Sequence, residues 1–97
     1  MTDADTIRVH IWVKGRVQGV GFRAFVADSA GIIGVNGWVR NLGYDAVETV
    51  AEGSRAQVDQ FIQAVKTGPR ASRVNDSLVE EETPTGEFTR FEIRSSR

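Results

Sequence analysis

Cysteine is absent from this sequence of 97 residues, which excludes disulfides, thiolate metal sites and cysteine nucleophiles. Long apolar runs are also lacking, because stretches such as AGIIGV are far shorter than a membrane-spanning helix. Histidine occurs once, as His10, and the acidic run of residues 80–82 is typical of solvated surface. We therefore expect no metal site, no cofactor and no membrane segment.

The length and composition are those of one small globular domain. The hydrophobic fraction is 40% and the charged fraction 26%, both ordinary for such a domain. The first residues, MTDADT, are polar and acidic, unlike a signal peptide. We expect a flexible tail over residues 1–6, a single domain over residues 7–97, and a monomeric, cytoplasmic protein.

The net charge is close to zero, but the charged residues are unevenly distributed along the sequence. The formal net charge is −1, which argues against broad nucleic-acid binding. Residues 8–40 nevertheless hold one acid, Asp28, against five basic residues: Arg8, Lys14, Arg16, Arg23 and Arg40. A basic region on a mildly acidic protein suits a small anion better than a polyanion.

The chain alternates strand-like and helix-like segments. Residues 7–13 alternate apolar and polar side chains, which predicts a strand with one face in the core. A helix is predicted over residues 22–33, and Ser54 opens a second helix with the capping-box spacing to Gln57. Four further strand candidates are GWVRNL, AVETVAEG, SRVNDSLVEE and FTRFEIR. This order predicts an α+β, ferredoxin-like βαββαβ sandwich, an antiparallel sheet with two helices on one face.

Glycine is concentrated where the first strand leads into the first helix. Gly15, Gly19 and Gly21 lie within seven positions, and Arg23 follows in the first helical turn. Glycines let successive backbone N–H groups converge on an anion at a helix N-terminus. The planar fork of an arginine pairs with two oxygens of a phosphate or carboxylate. We interpret this loop as a phosphate cradle.

Two nucleotide-binding motifs are poor alternatives for this loop. GVGFRA matches the dinucleotide fingerprint G-x-G-x-x-A, but that motif requires a larger parallel sheet than this chain provides. The P-loop is missing, because no Gly-Lys-Ser or Gly-Lys-Thr occurs.

Two long motifs resemble the acylphosphatase family. The first is VKGRVQGVGFR, and the second is GWVRN followed by a hairpin and VETVAEG. The similarity extends over residues 7–94, and the family's βαββαβ sandwich agrees with the fold predicted above. One departure lies in the hairpin GYDA, where Asp45 takes the place of a usual glycine. Aspartate tolerates a left-handed conformation there.

The resemblance implies hydrolysis of the carboxyl-phosphate bond of acyl phosphates, with inorganic phosphate as product and product inhibitor. It makes Arg23 the phosphate-binding catalytic residue and Asn41 the residue that positions the attacking water. It also assigns the phosphoryl oxygens to eight backbone N–H groups, those of Gly15, Arg16, Val17, Gln18, Gly19, Val20, Gly21 and Phe22. In the reaction that the resemblance implies, no metal ion takes part.

Two other classes of function stay open. A non-catalytic module that binds phosphate or carbamoyl phosphate would use the same cradle, although the presence of both Arg23 and Asn41 favours the enzyme. An RNA-recognition domain shares the βαββαβ order, but its paired strand aromatics are missing from AVETVAEG.

Overall fold

The computed structural model describes residues 5–97 as five strands and two helices. The elements in chain order are β1 (Thr6–Arg16), α1 (Phe22–Ile33), β2 (Asn36–Leu42), β3 (Ala46–Ser54), α2 (Arg55–Thr67), β4 (Arg73–Glu82) and β5 (Phe91–Ile93). The predicted α+β order and the further C-terminal strand are confirmed. Residues 1–4 of the predicted tail lie outside the described residues, and Thr6 already belongs to β1.

The sheet has the strand order β4-β1-β3-β2-β5. The first four strands pair antiparallel, as predicted, whereas β5 pairs parallel with β2, so the additional C-terminal strand makes the five-stranded sheet mixed. The reason is the route of the chain after β4. Thr85 and Gly86 donate their N–H groups to the Glu52 carboxylate at the end of β3, so the chain crosses the sheet at that end. It therefore enters β5 at the end where β2 begins.

Alternation along β1 decides which face of the sheet is covered. Val9, Ile11 and Val13 are buried beneath the two helices, as their spacing predicts. The helices contribute Val26 from α1 and Phe61 from α2 to the same core. Burial of each such side chain stabilises the fold by about 1.5–3 kcal/mol.

The boundaries of α2 follow from its sequence. The Ser54 hydroxyl accepts the N–H of Gln57, and the Gln57 side chain accepts the N–H of Ser54, so the predicted capping box is present. The helix ends at Gly68, whose N–H donates to the Ala64 carbonyl. Among residues 5–97, neither helix is long and apolar enough to cross a bilayer.

The hairpin between β2 and β3 turns at residues 43–45. Gly43 takes the left-handed conformation with φ of 61°, and no non-glycine residue among those described has a positive φ. Asp45 therefore does not use the left-handed conformation that its sequence position allowed. Gly43 supplies the turn instead, because it lacks the Cβ that penalises this conformation.

The face of the sheet away from the helices carries an ionic network. His10 contacts two carboxylates, with Nε2 2.7 Å from Glu48 and Nδ1 2.8 Å from Glu82. Arg8 donates to Glu82 as well, at 2.9 Å. The hydrogen bond from His10 holds the pKa of the Glu82 carboxyl below its usual value, although burial opposes this. The hydrogen bond from Arg8 lowers the same pKa to a smaller extent. Glu82 is therefore part of a network, not simply the solvated surface expected from its sequence.

Candidate active site

The loop between β1 and α1 is shaped by alternating anchors and glycines. The Val17 side chain is fully buried and Val20 packs against the core. Gly19 and Gly21 have φ of 73° and 76°, and a Cβ added to either would meet nothing within 4 Å. These two glycines are required by the backbone conformation and not by crowding, since L side chains rarely adopt such angles. The valines thus fix the loop, and the glycines turn its backbone toward open space.

Gly15 has a different role from the one expected. Its N–H donates to the Asp45 carbonyl at 3.0 Å, so this group is engaged within the protein. A Cβ at this position would lie 2.2 Å from the Arg73 carbonyl oxygen, beside the register shift between β1 and β4. Gly15 is therefore needed for the close approach of β4. We exclude its N–H from the proposed cradle.

Beyond the end of β1, the N–H groups of the loop find no acceptor within residues 5–97. Among the described residues, none of the N–H groups of residues 18–24 donates a hydrogen bond, and the first bond of α1 runs from Phe25 to the Gly21 carbonyl. The start of α1 has no side-chain cap and no acidic residue in its first turn. Seven successive donors therefore lie at the positive end of a helix, an arrangement that favours an anion.

Arg23 and Asn41 belong to different elements, and their side chains line the same cleft. Arg23 is the second residue of α1; it is half-buried, and it forms no ion pair within residues 5–97. Asn41 lies near the end of β2, two positions beyond buried Val39, so it faces the helix side of the sheet. In the part of the chain described, the Asn41 side-chain amide makes no hydrogen bond with protein. Both side chains are thus available to a ligand.

A cleft of about 260 Å³ brings these groups together. Its lining consists of Val17, Gly19, Gly21, Phe22, Arg23, Ala24, Asn41 and Ile93. This volume is slightly below the range of about 300–1,000 Å³ that is usual for drug-sized ligands, so it suits a small molecule.

The cleft contains part of the predicted loop and two residues that the prediction missed. Gly15, Arg16, Gln18 and Val20 belong to the predicted loop but do not line the cleft. The sequence prediction did not include Ala24 among the site residues, although Ala24 continues the first turn of α1. Ile93 is missed because no local pattern indicates that β5 pairs beside β2.

The described residues contain no group of three or more histidine, cysteine, aspartate or glutamate side chains arranged to hold a metal ion. The lining of the cleft instead supplies one guanidinium, one amide and backbone donors. Such groups bind and orient an anion and a water molecule without an acid or base of their own.

The chain is similar to known proteins over most of its length. The family model for acylphosphatase matches residues 9–93. An acylphosphatase of Syntrophotalea carbinolica is 50% identical over 88 residues, which are 91% of this chain and 96% of that relative. The crystal structure of acylphosphatase from Bacillus subtilis is 41% identical with a TM-score of 0.86, covering 91% of this chain and 98% of that one.

A similar fold also occurs within a larger protein. The full-length HypF structure, in its phosphate- and nucleotide-bound form, matches with 30% identity and a TM-score of 0.85. The match covers 94% of this chain and 12% of HypF. The family model and the relatives confirm the resemblance seen in the two motifs. This chain belongs to the acylphosphatase family, the enzymes that hydrolyse the carboxyl-phosphate bond of acyl phosphates.

Proposed function

We propose that the cleft hydrolyses acyl phosphates with divided roles. Backbone N–H groups from among residues 18–24 and the guanidinium of Arg23 hold the phosphoryl oxygens, and Asn41 orients the attacking water. One observation carries this proposal: Arg23 and Asn41, whose side chains have no partner within residues 5–97, line one cleft together with the glycine loop. The cleft volume of about 260 Å³ suits a phosphoryl group with a short acyl group.

The chemistry needs little more than this set of groups. An acyl phosphate carries a good leaving group, so positioning and charge stabilisation supply most of the catalysis. A loose transition state places charge on the equatorial phosphoryl oxygens, where fixed N–H donors and an arginine stabilise it most. The amide of Asn41 has both a donor and an acceptor, so it can orient a water molecule without deprotonating it. In this proposal the substrate's own phosphoryl oxygen accepts the proton of the water.

Hydrolysis without a metal ion is the direct test of this proposal. The purified protein should release inorganic phosphate from benzoyl phosphate, and EDTA should leave the rate unchanged, because Arg23 and the backbone donors already offset the phosphoryl charge. The measurement is the initial rate before and after chelation, with added Mg²⁺ as a third arm. Loss of activity on chelation with recovery in Mg²⁺ would contradict the mechanism, as would the absence of any hydrolysis.

The glycines of the loop give a second test. Gly19→Val and Gly21→Val should each weaken inhibition by inorganic phosphate by roughly tenfold or more, because valine opposes the left-handed backbone that aims the N–H donors. Gly86→Val is the matched control, since Gly86 has a similar φ of 70° and open space around it, and it does not line the cleft. If both loop variants are inhibited like the wild type, the cradle has been placed wrongly.

Three finer statements belong to the same proposal and stay predictions from the sequence: inorganic phosphate as a product inhibitor, a monomeric state and a cytoplasmic location. The non-catalytic binding module is not favoured, because the match covers 96% of the Syntrophotalea carbinolica acylphosphatase but 12% of HypF. The family assignment also removes the RNA-recognition alternative.

A further inference from the structure

The side chain of Gln18 crosses from the loop to the hairpin turn. Its Nε2 atom lies 2.8 Å from the Ala46 carbonyl oxygen, 3.1 Å from that of Gly43 and 3.5 Å from that of Leu42. All three neighbours are acceptors, so the nitrogen and not the oxygen of the amide must face them. One side chain thus ties the loop to both ends of the turn.

This contact joins the two halves of the proposed site. The phosphate-binding half is the loop with Arg23, and the water-positioning half is Asn41 on β2. Gly15 also bonds to the turn through Asp45, but that bond comes before the loop bends away from the sheet. Gln18 lies next to Gly19, within the part of the loop that carries the free N–H groups. Its amide therefore sets how far the loop stands from the end of β2.

We propose that Gln18 is a positioning residue, whose side chain holds the phosphate loop against the β2–β3 turn so that a bound phosphoryl group meets the water oriented by Asn41. This inference rests on the proposed function of the cleft. It predicts an uneven effect, because Gln18 governs the separation of the two halves. Binding of phosphate by the loop and Arg23 should survive its loss, whereas turnover should not.

The contact matters little for the fold itself. The bond to the Gly43 carbonyl is exposed and the other two are partly buried, so water can take the place of the amide. The core anchors Val17 and Val20 do not depend on it. A shift of about 1 Å between reacting groups, in contrast, can lower the rate by roughly 10²-fold.

The first experiment compares Gln18→Met, which keeps the length of the side chain without its donors, with Gln18→Glu, which keeps its shape. Both should lower kcat for benzoyl phosphate by roughly tenfold or more. Inhibition by inorganic phosphate should stay within about twofold of the wild type in Gln18→Met, and the melting temperature should change little. In Gln18→Glu the added negative charge should also weaken phosphate inhibition, so Gln18→Met is the decisive variant for that measurement. Gln60→Met is the matched control, since Gln60 is exposed on α2 and lies outside the cleft. Wild-type kcat in both variants would overturn the inference, and so would unfolding of both.

A double-mutant cycle identifies the partner through which Gln18 acts. If Gln18 positions the phosphoryl group for the water on Asn41, Gln18→Met should reduce kcat much less in an Asn41→Ala background than in the wild type. Full additivity of the two substitutions would overturn the positioning role while leaving the proposed function intact. Wild-type kcat in Asn41→Ala alone would instead contradict the proposed role of Asn41, and the proposed target of Gln18 with it.

Discussion

Replacing Arg23 with alanine should lower kcat/KM for benzoyl phosphate by about 10³-fold, equivalent to about 4 kcal/mol of transition-state stabilisation. Arg23 is the one cationic side chain that lines the cleft, and it has no carboxylate partner among residues 5–97. Its fork can therefore contact the phosphoryl oxygens in both the ground state and the transition state. Inhibition by inorganic phosphate should weaken in parallel with turnover.

Two further variants test whether the effect of Arg23→Ala is specific to the guanidinium of Arg23. Arg23→Lys should recover part of the activity and not all of it, because an ammonium is a point charge without the bidentate fork. Arg70→Ala is the matched control, since Arg70 is exposed and lies outside the cleft. Melting temperatures of all three variants should stay near the wild type, because Arg23 makes no ion pair within residues 5–97 that its loss would break. Unchanged phosphate inhibition in a folded Arg23→Ala protein would exclude Arg23 from phosphate binding.

Replacing Asn41 with alanine should act on turnover alone. We expect kcat to fall by roughly 10²-fold, equivalent to about 3 kcal/mol, because the attacking water loses its orientation. KM and inhibition by inorganic phosphate should stay within about twofold, since the phosphoryl group is held by the loop and Arg23. Phosphate inhibition is the cleaner measurement, because KM equals the dissociation constant only when chemistry is slow.

Asn36→Ala is the matched control for this second prediction. Asn36 is exposed at the opposite end of the same strand, β2, and it does not line the cleft. Circular dichroism and thermal melting should show both variants folded, since Asn41 borders the hairpin turn. A folded Asn41→Ala protein with near wild-type kcat would refute the water-positioning role.

The elements and the outline of the site follow from local sequence. Alternation in β1 and the Ser54–Gln57 capping box each depend on residues a few positions apart, and the structure confirms both. The two family motifs predicted the acylphosphatase family, which the comparisons confirm. The structure brings Arg23 and Asn41 to one cleft, although their catalytic roles stay predictions.

Contacts between distant segments were decided by the tertiary structure. Gly15 was predicted to serve the ligand, but its missing Cβ makes room for the Arg73 carbonyl across a strand pair. The amide of Gln18 reaches carbonyls on a hairpin more than 20 residues away, and Ile93 enters the cleft because β5 lies beside β2. Such contacts depend on strand order and register, which arise from packing of the whole chain and leave no periodic signal in the residues nearby.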